Sequence, residues 1–195
     1  AEIQVTEHDY QQKAIIANIV SEKPLMNTTW QRFLSDSILA ILPLSNHQAS
    51  IVWSCKEALA NELEAKDKTI FNKMLSEASE YQFGVLELES SKKSFPLVSR
   101  TAKEYVRANL ALIGDAAHNI HPLAGQGLNQ GIKDIQSLSS LLLKYNGSIE
   151  HVLYNYQNER KIDNSNMLEI TDSINTIFSN HSQILHGARQ TGFKI

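Results

Sequence analysis

The sequence is poor in cysteine, in long apolar runs and in excess charge of either sign. Cys55 is the only cysteine, so no internal disulfide can form, which predicts a reducing compartment such as the cytoplasm. The longest apolar run, residues 38–44, is far shorter than the ~20 residues of a membrane span. Eighteen basic residues against 21 acidic ones give no clustered basic face for nucleic acid.

Signals at the N-terminus and in the glycine pattern are also missing. The sequence begins at Ala1 without an initiator Met or a signal peptide, so we expect that it starts inside a longer gene product. Gly125, Gly127 and Gly131 are spaced one residue too widely for the dinucleotide fingerprint GxGxxG. If the protein binds a dinucleotide cofactor, the segment that cradles its pyrophosphate lies outside this sequence.

The first hundred residues predict a sheet with a helical insertion. The apolar, β-branched segment Ala14–Val20 predicts an inner strand. Thr28–Leu34 and Ile38–Leu44 flank the turn signal of residues 35–37, and Ala49–Trp53 predicts a third consecutive strand. Three sequential strands joined by short turns predict an antiparallel meander. Two further extended segments are expected at Gly84–Glu89 and Lys93–Arg100.

Residues 56–81 have helical periodicity and predict two helices broken near Asp67. Apolar residues at three- and four-residue spacing predict the buried face of the second helix: Ile70, Phe71, Met74, Leu75 and Ala78.

The pattern changes at Asn109–Ile113, which predicts a short strand ending at Gly114 and Asp115. A glycine-opened helix follows and should end near residues 146–147; the chain is mostly helical from Ser148 onward. The apolar residues of the glycine-opened helix predict one buried stripe: Leu128, Ile132, Ile135, Leu138, Leu141 and Leu142.

The segment of residues 112–129 carries the chemistry. Asp115 would lie at the carboxyl end of a strand, where ligands of open α/β sheets bind, and could accept hydrogen bonds from ligand hydroxyls. Gly125 and Gly127 remove side chains where a flat ligand would approach the backbone. The first N–H groups of the following helix favour an anion. This arrangement suits a flavin ring, whose reduced form is negative along its pyrimidine edge.

The run Gly-Asp-Ala-Ala-His followed by Ile-His-Pro-Leu-Ala-Gly-Gln-Gly-Leu-Asn resembles the second flavin motif of class A flavoprotein monooxygenases. It is most similar to that of the ubiquinone-biosynthesis hydroxylases of the UbiH/VisC type, relatives of para-hydroxybenzoate hydroxylase. The likeness covers most of residues 8–165. It extends to the segments Tyr10–Ala14, Ile41–Leu44, Ile51–Trp53 and Phe95–Leu97 with Arg100.

The resemblance implies an α/β protein of the para-hydroxybenzoate-hydroxylase fold, truncated at its N-terminus. Residues 1–100 would form part of the substrate domain, with an antiparallel or mixed sheet. Residues 101–147 would form the C-terminal segment of the FAD-binding domain, and residues 148–195 a terminal helical segment.

The resemblance also implies a set of site residues. Asp115 would hold the ribityl hydroxyls of FAD, and Pro122 would line the flavin face where substrate lies. The predicted cofactor-binding residues are Gly114, Asp115, Pro122, Gly125, Gln126, Gly127, Leu128 and Asn129. Trp53, Leu42 and His121 are candidates for the substrate pocket, because aromatic walls suit an aromatic ligand. No side chain is assigned as a catalytic acid or base.

The implied reaction is hydroxylation of a polyprenylated phenol in ubiquinone biosynthesis, with FAD as cofactor, NAD(P)H as reductant and O₂ as co-substrate. The prenyl tail suggests peripheral contact with the inner membrane, and other ubiquinone-biosynthesis proteins are candidate partners. Two alternatives stay open: a class A hydroxylase acting on another aromatic substrate, and a non-catalytic binding fragment. With only half of the flavin site, the fragment alone should be inactive.

Several residues also have simpler interpretations. Asp115, His118 and His121 recur at three-residue intervals, but the intervening loop disfavours a metal site. His118 is expected to be structural and bonded to backbone, and a favourable position in the helix dipole explains Asp134. Cys55 should be a small buried hydrophobe, and Trp53 is most simply a core residue.

Overall fold

The computed structural model describes residues 2–119, 126–144 and 147–179, with side chains described as far as residue 173. The chain forms two compact units. One, here called the sheet unit, comprises Gln11–Leu97 and Thr176–Ile195. The other, here called the turn unit, comprises Ala1–Tyr10 and Val98–Asn175. The predicted domain division at residues 100 and 147 stays a prediction.

The described residues form strands and helices in a mixed arrangement with an antiparallel sheet, which confirms the α/β class. The strands are β1 (Val5–Ser21), β2 (Trp30–Phe33), β3 (Ser37–Pro43), β4 (Gln48–Lys56), β5 (Leu86–Leu88), β6 (Lys93–Ala102), β7 (Val106–Arg107), β8 (Leu110–Ala111) and β9 (His118–Asn119). The helices are α1 (Glu57–Ala65), α2 (Lys68–Ala78), α3 (Gly127–Lys144) and α4 (Ile149–Ser179). A 3₁₀ turn occupies Gly114–Ala116.

The predicted meander is confirmed in the sheet unit. Strands β2, β3 and β4 pair antiparallel in sequence order, and the N–H of Leu34 donates to the carbonyl of Ser37 across the predicted hairpin. Strand β1 pairs with β4 and with β5, so its predicted inner position is also confirmed. Only one face of β1 is buried, however: Ile15 and Ile19 are inaccessible, whereas Ile16 is 36% exposed.

The two helices predicted around Asp67 are confirmed, and Asp67 itself caps α2 by accepting a hydrogen bond from the N–H of Ile70. Phe71 and Leu75 are fully buried against the sheet-unit core. The prediction for Ile70 is wrong, because its side chain is 45% exposed. Ser76 takes a place on the buried face instead, where its hydroxyl accepts from the N–H of Leu86.

The turn unit packs around a small core to which β6, the segment before the 3₁₀ turn, and α4 contribute. Ala102, Tyr105, Ala117 and Tyr156 form its buried cluster. The Tyr156 hydroxyl donates to the carbonyl of Leu112 at 2.7 Å, which ties α4 to the chain just before the turn. Helix α4 confirms the helical prediction from Ser148 as far as Ser179, and the later residues lie outside the described ones.

The strand predicted at Asn109–Ile113 is shorter than expected. Only Leu110 and Ala111 form β8, which pairs with β7 in a separate two-stranded sheet. Leu110 and Ile113 are 42% and 41% exposed. Asp115 therefore lies in a 3₁₀ turn beyond β8, and the premise that it ends a strand of a larger sheet is not met among the described residues.

The buried face of helix α3 is not the apolar stripe that the sequence predicts. Its buried residues are Gln130 and Asp134, with Leu138 and Leu141 packed against the core beside them. Four of the residues predicted to be buried are exposed: Leu128, Ile132, Ile135 and Leu142. The prediction is wrong because apolar periodicity alone does not determine which face is buried. Gln130 and Asp134 are buried because both have hydrogen-bond partners inside the turn unit.

Candidate functional site

The Gly114–Ala116 turn is built around a glycine in the left-handed region. Gly114 has φ +58°, a conformation that costs side-chain-bearing residues energy. The N–H of Ala117 closes the turn on the carbonyl of Gly114 at 2.9 Å. The chain then enters β9, where His118 pairs with Thr101 of β6. Both the entry and the exit of the turn are therefore held by defined backbone contacts.

A second glycine lets the turn pack directly on α3. A Cβ built on Gly131 would lie 3.4 Å from the Cα of Gly114, so nothing larger than a methyl group fits between the two backbones. In the sequence, the spacing of Gly131 argues only against the dinucleotide fingerprint. Its position four residues after Gly127, on the face that meets the turn, is the signal that could have revealed its role.

The turn presents Asp115 next to the first residue of α3. A Cβ built on Gly127 would lie 4.0 Å from Oδ1 of Asp115. Asp115 is exposed, and its carboxylate makes no hydrogen bond or ion pair with any residue that the structure describes. The predicted carboxylate and the predicted glycine are thus neighbours.

The start of α3 offers backbone hydrogen-bond donors next to Asp115. In an α-helix the first four N–H groups have no intrahelical acceptor and carry a partial positive charge. Gln126 precedes the helix, and its side-chain carbonyl accepts from the amide of Asn129 at 3.3 Å. Leu128 is 76% exposed. These residues and Gly127 place an anion-favouring helix end beside a hydrogen-bond-accepting carboxylate.

Three of the predicted site residues, Pro122, Gly125 and His121, lie outside the described residues. Of the two candidates for the substrate pocket in the sheet unit, Trp53 is 4% exposed and donates its indole N–H to Oγ of Ser37 at 3.1 Å. Leu42, on β3, is 38% exposed. The assignment of these residues to a substrate pocket stays a prediction.

Behind the turn lies a fully buried carboxylate, Asp134 of α3. Its Oδ2 accepts from the N–H of Gly114 at 2.8 Å and from Nε2 of His118 at 2.6 Å. Its Oδ1 accepts from Nε of Arg160 in α4 at 2.7 Å. We call these four groups the Asp134 network. Asp134, His118 and Arg160 are 0%, 1% and 2% exposed, so the interactions are shielded from water.

Further hydrogen bonds hold Arg160 in place. One terminal nitrogen donates to Oε1 of Gln130 at 2.9 Å and to Oδ1 of Asn164 at 3.2 Å. The other donates to Asp163 at 2.7 Å. Asp163 is 52% exposed and lies at the surface end of the guanidinium. Because a buried guanidinium without acceptors would be costly, this set of partners explains why an arginine can occupy the interior.

The network keeps Asp134 ionised. Burial favours the neutral form and by itself raises the pKa, but hydrogen bonds from His118, Arg160 and the Gly114 N–H outweigh it, and the pKa of Asp134 is lowered. His118 Nδ1 is buried and has no hydrogen-bond partner among the described residues.

Two expectations from the sequence are corrected here. The partner of the His118 side chain is the carboxylate of Asp134 and not the backbone. Asp134 is buried at a point where the turn, α3 and α4 meet, so a favourable position in the helix dipole does not explain it. A lone aspartate on the same helical face as Leu138 and Leu141 was the available signal, because a charge among core positions requires buried partners.

No helix in the described part of the chain combines the length and the hydropathy that a bilayer crossing requires.

Comparison with known proteins shows which family the chain belongs to. A family model described as FAD binding domain matches residues 1–170. The human protein named ubiquinone biosynthesis monooxygenase COQ6, mitochondrial, is 34% identical over 98% of this chain and 49% of its own length. The Escherichia coli protein named 3-demethoxyubiquinol 3-hydroxylase is 34% identical over 94% of this chain and 48% of its own length. The chain thus spans about half the length of these relatives.

Solved structures supply the fold. The crystal structure of PqsL, a probable FAD-dependent monooxygenase from Pseudomonas aeruginosa, superposes with a TM-score of 0.75 at 22% identity. The match covers 92% of this chain and 52% of that one. The p-nitrophenol 4-monooxygenase PnpA from Pseudomonas putida matches with a TM-score of 0.72 at 16% identity, over 98% of this chain and 50% of that one. The fold expected from the sequence is therefore confirmed.

Proposed function

The chain belongs to the FAD binding domain family, and on that basis we propose that the protein is an FAD-dependent hydroxylase of a polyprenylated phenol in ubiquinone biosynthesis. NAD(P)H would be the reductant and O₂ the source of the new hydroxyl oxygen. The names of the human and E. coli relatives support the substrate class. FAD, when bound, would supply the redox chemistry and the activation of oxygen.

One observation carries the cofactor part of the proposal: the carboxylate of Asp115, which has no partner among the described residues, lies beside the bare backbone of Gly127. A flavin has both a hydroxylated chain, which needs acceptors, and a flat ring edge that becomes negative on reduction. The residues fit such a group, because a Cβ built on Gly127 would lie 4.0 Å from Asp115 Oδ1, so a bare stretch of backbone stands next to a hydrogen-bond acceptor. Asp115 would accept hydrogen bonds from the ribityl hydroxyls.

The start of α3 would serve the other end of the same ligand portion. The backbone from Gly125 to Asn129 would approach the pyrimidine edge, and the partial positive charge of the helix N-terminus would favour the reduced, anionic form. Leu128 contributes an exposed apolar side chain at this end. Gly114 and Gly131 would contribute indirectly, because their lack of side chains allows the turn to pack closely against α3.

The substrate part of the proposal depends on residues elsewhere. Pro122 and His121 would line the flavin face, with Trp53 and Leu42 as candidates for the pocket wall. The deep burial of Trp53 and its bond to Ser37 favour a core position behind that wall. Peripheral contact with the inner membrane, a cytoplasmic location and association with other ubiquinone-biosynthesis proteins belong to the same proposal.

The test uses the whole protein, purified and reconstituted with FAD. We expect a visible flavin absorption spectrum and oxidation of NAD(P)H that is stimulated by a prenylated phenol. With ¹⁸O₂, mass spectrometry should find one labelled oxygen on the aromatic ring. A flavin spectrum without hydroxylation of any prenylated phenol, but with hydroxylation of another aromatic compound, would point to the alternative substrate class. Absence of bound flavin would contradict the proposal.

A further inference from the structure

A single carboxylate joins the flanks of the Gly114–Asp115 turn to two helices. Asp134 Oδ2 accepts hydrogen bonds from the N–H of Gly114, at the first residue of the turn, and from Nε2 of His118, just after the turn. Asp134 Oδ1 accepts a hydrogen bond from Nε of Arg160 in α4. From this arrangement we propose that Asp134, held by Arg160, is a positioning residue that fixes Asp115 for FAD. This inference rests on the proposed function.

The geometry links Asp134 to the ligand-facing group over a short path. Gly114, which donates to Asp134, is bonded directly to Asp115 along the chain. Gly131 allows the turn to approach α3 so closely that the two glycine backbones are in contact. A shift of the turn away from α3 would therefore move the Asp115 carboxylate away from Gly127 and from the first N–H groups of the helix.

An ionised carboxylate suits this place, since the hydrogen-bond partners of Asp134 among the described residues are all donors. It faces one backbone N–H, one imidazole N–H and one guanidinium N–H. An asparagine of the same size would set its own amide N–H₂ against one of these donors, and it would leave the charge of Arg160 without its buried counter-ion. Asp134→Asn thus removes the anchor of the turn at nearly constant volume.

Arg160 determines where Asp134 points. The guanidinium donates to Gln130 and Asn164 as well as to Asp134, so its plane is fixed by residues of both α3 and α4. Asp163 binds the same guanidinium from the surface and makes no contact with the turn among the described residues. Asp163→Asn is therefore a matched control: it removes one carboxylate partner of Arg160 but leaves the connection to Gly114 intact.

The experiment measures the FAD dissociation constant and the visible circular dichroism of bound flavin in the whole protein. Asp134→Asn should weaken FAD binding about 10- to 100-fold, the range typical of residues that orient a ligand-binding group, and should alter the flavin spectrum. Asp163→Asn should stay within about 2-fold of wild type, as expected of a surface substitution. Asp115→Ala should weaken binding in the same protein.

Each outcome decides between the claims. If Asp134→Asn folds and binds FAD as wild type does, while Asp115→Ala weakens binding, the positioning role is overturned and the proposed function stands. If Asp134→Asn does not fold, Gly131→Val provides the test, because its branched side chain would push the turn off α3 and away from Asp134 without replacing Asp134 or Arg160. Unchanged FAD affinity in Gly131→Val would overturn the inference. A wild-type protein that binds no FAD would overturn both.

Discussion

The main-chain N–H of Gly114 donates to Oδ2 of Asp134, twenty residues later in the chain, over 2.8 Å. This contact connects the exposed turn, where Asp115 has no described partner, to a carboxylate that is inaccessible to solvent. Asp115, the exposed side chain proposed to face the ligand, is in this way supported by ionic interactions in the interior. Placing the support on helices rather than on the loop itself is how proteins keep a site well defined.

The buried network predicts a dependence of stability on pH. The pKa of Asp134 is lowered in the folded state, so its contribution is fully present above the ordinary aspartate pKa of about 3.9. That contribution is lost as the pH falls through the folded-state value. We expect the free energy of unfolding by urea to decline below about pH 4 in the wild type. The decline should be smaller in Asp134→Asn. Equal acid-side slopes for the two proteins would contradict the role assigned to this carboxylate.

Two apolar residues of α2, one buried and one exposed, should differ sharply in their effect on stability. Leu75 is fully buried, so Leu75→Ala should lower the free energy of unfolding by about 2–5 kcal/mol. Ile70 is 45% exposed, and Ile70→Ala should change it by no more than about 0.5 kcal/mol. Urea unfolding followed by circular dichroism measures both variants. Comparable losses at the two positions would mean that α2 presents a different face to the sheet.

Cys55 should be an unreactive thiol in the native protein. Burial, together with the nearby charge of Asp36, raises the pKa of Cys55 to about 12, and the side chain is 1% exposed. Because the thiolate is the reactive form, labelling by a maleimide at pH 8 should be slow until the protein is unfolded in guanidinium. Rapid, stoichiometric labelling under native conditions would show that β4 is more accessible than described.

The sequence predicted most of the sheet unit correctly for identifiable reasons. The turn signal at residues 35–37, the break at Asp67 and the alternating strands are local features, and local chemistry determines them. The family resemblance drawn from residues 114–129 was also correct, because that run combines several rare residue types. Asp115 and Gly127 were expected near each other, and they are neighbours.

The parts that failed depend on contacts between distant segments. The buried side of α3 could not be read from its apolar stripe, because Arg160, 26 residues after Asp134, supplies the partner that makes a polar face the inner one. The bond between His118 and Asp134 likewise requires knowing that β9 lies against α3. Such pairings between segments leave no periodic pattern in the sequence of either one.

FAD binding by the Asp115→Ala variant of the whole protein addresses the cofactor site itself. Asp115 is exposed and unpartnered among the described residues, so its removal should leave the unfolding midpoint unchanged. Loss of hydrogen bonds from ligand hydroxyls to a charged acceptor should weaken FAD binding about 10- to 100-fold. We expect a fluorescence titration to give that weakening with wild-type thermal stability. An FAD dissociation constant equal to that of the wild type would contradict the assignment of Asp115 to the flavin site.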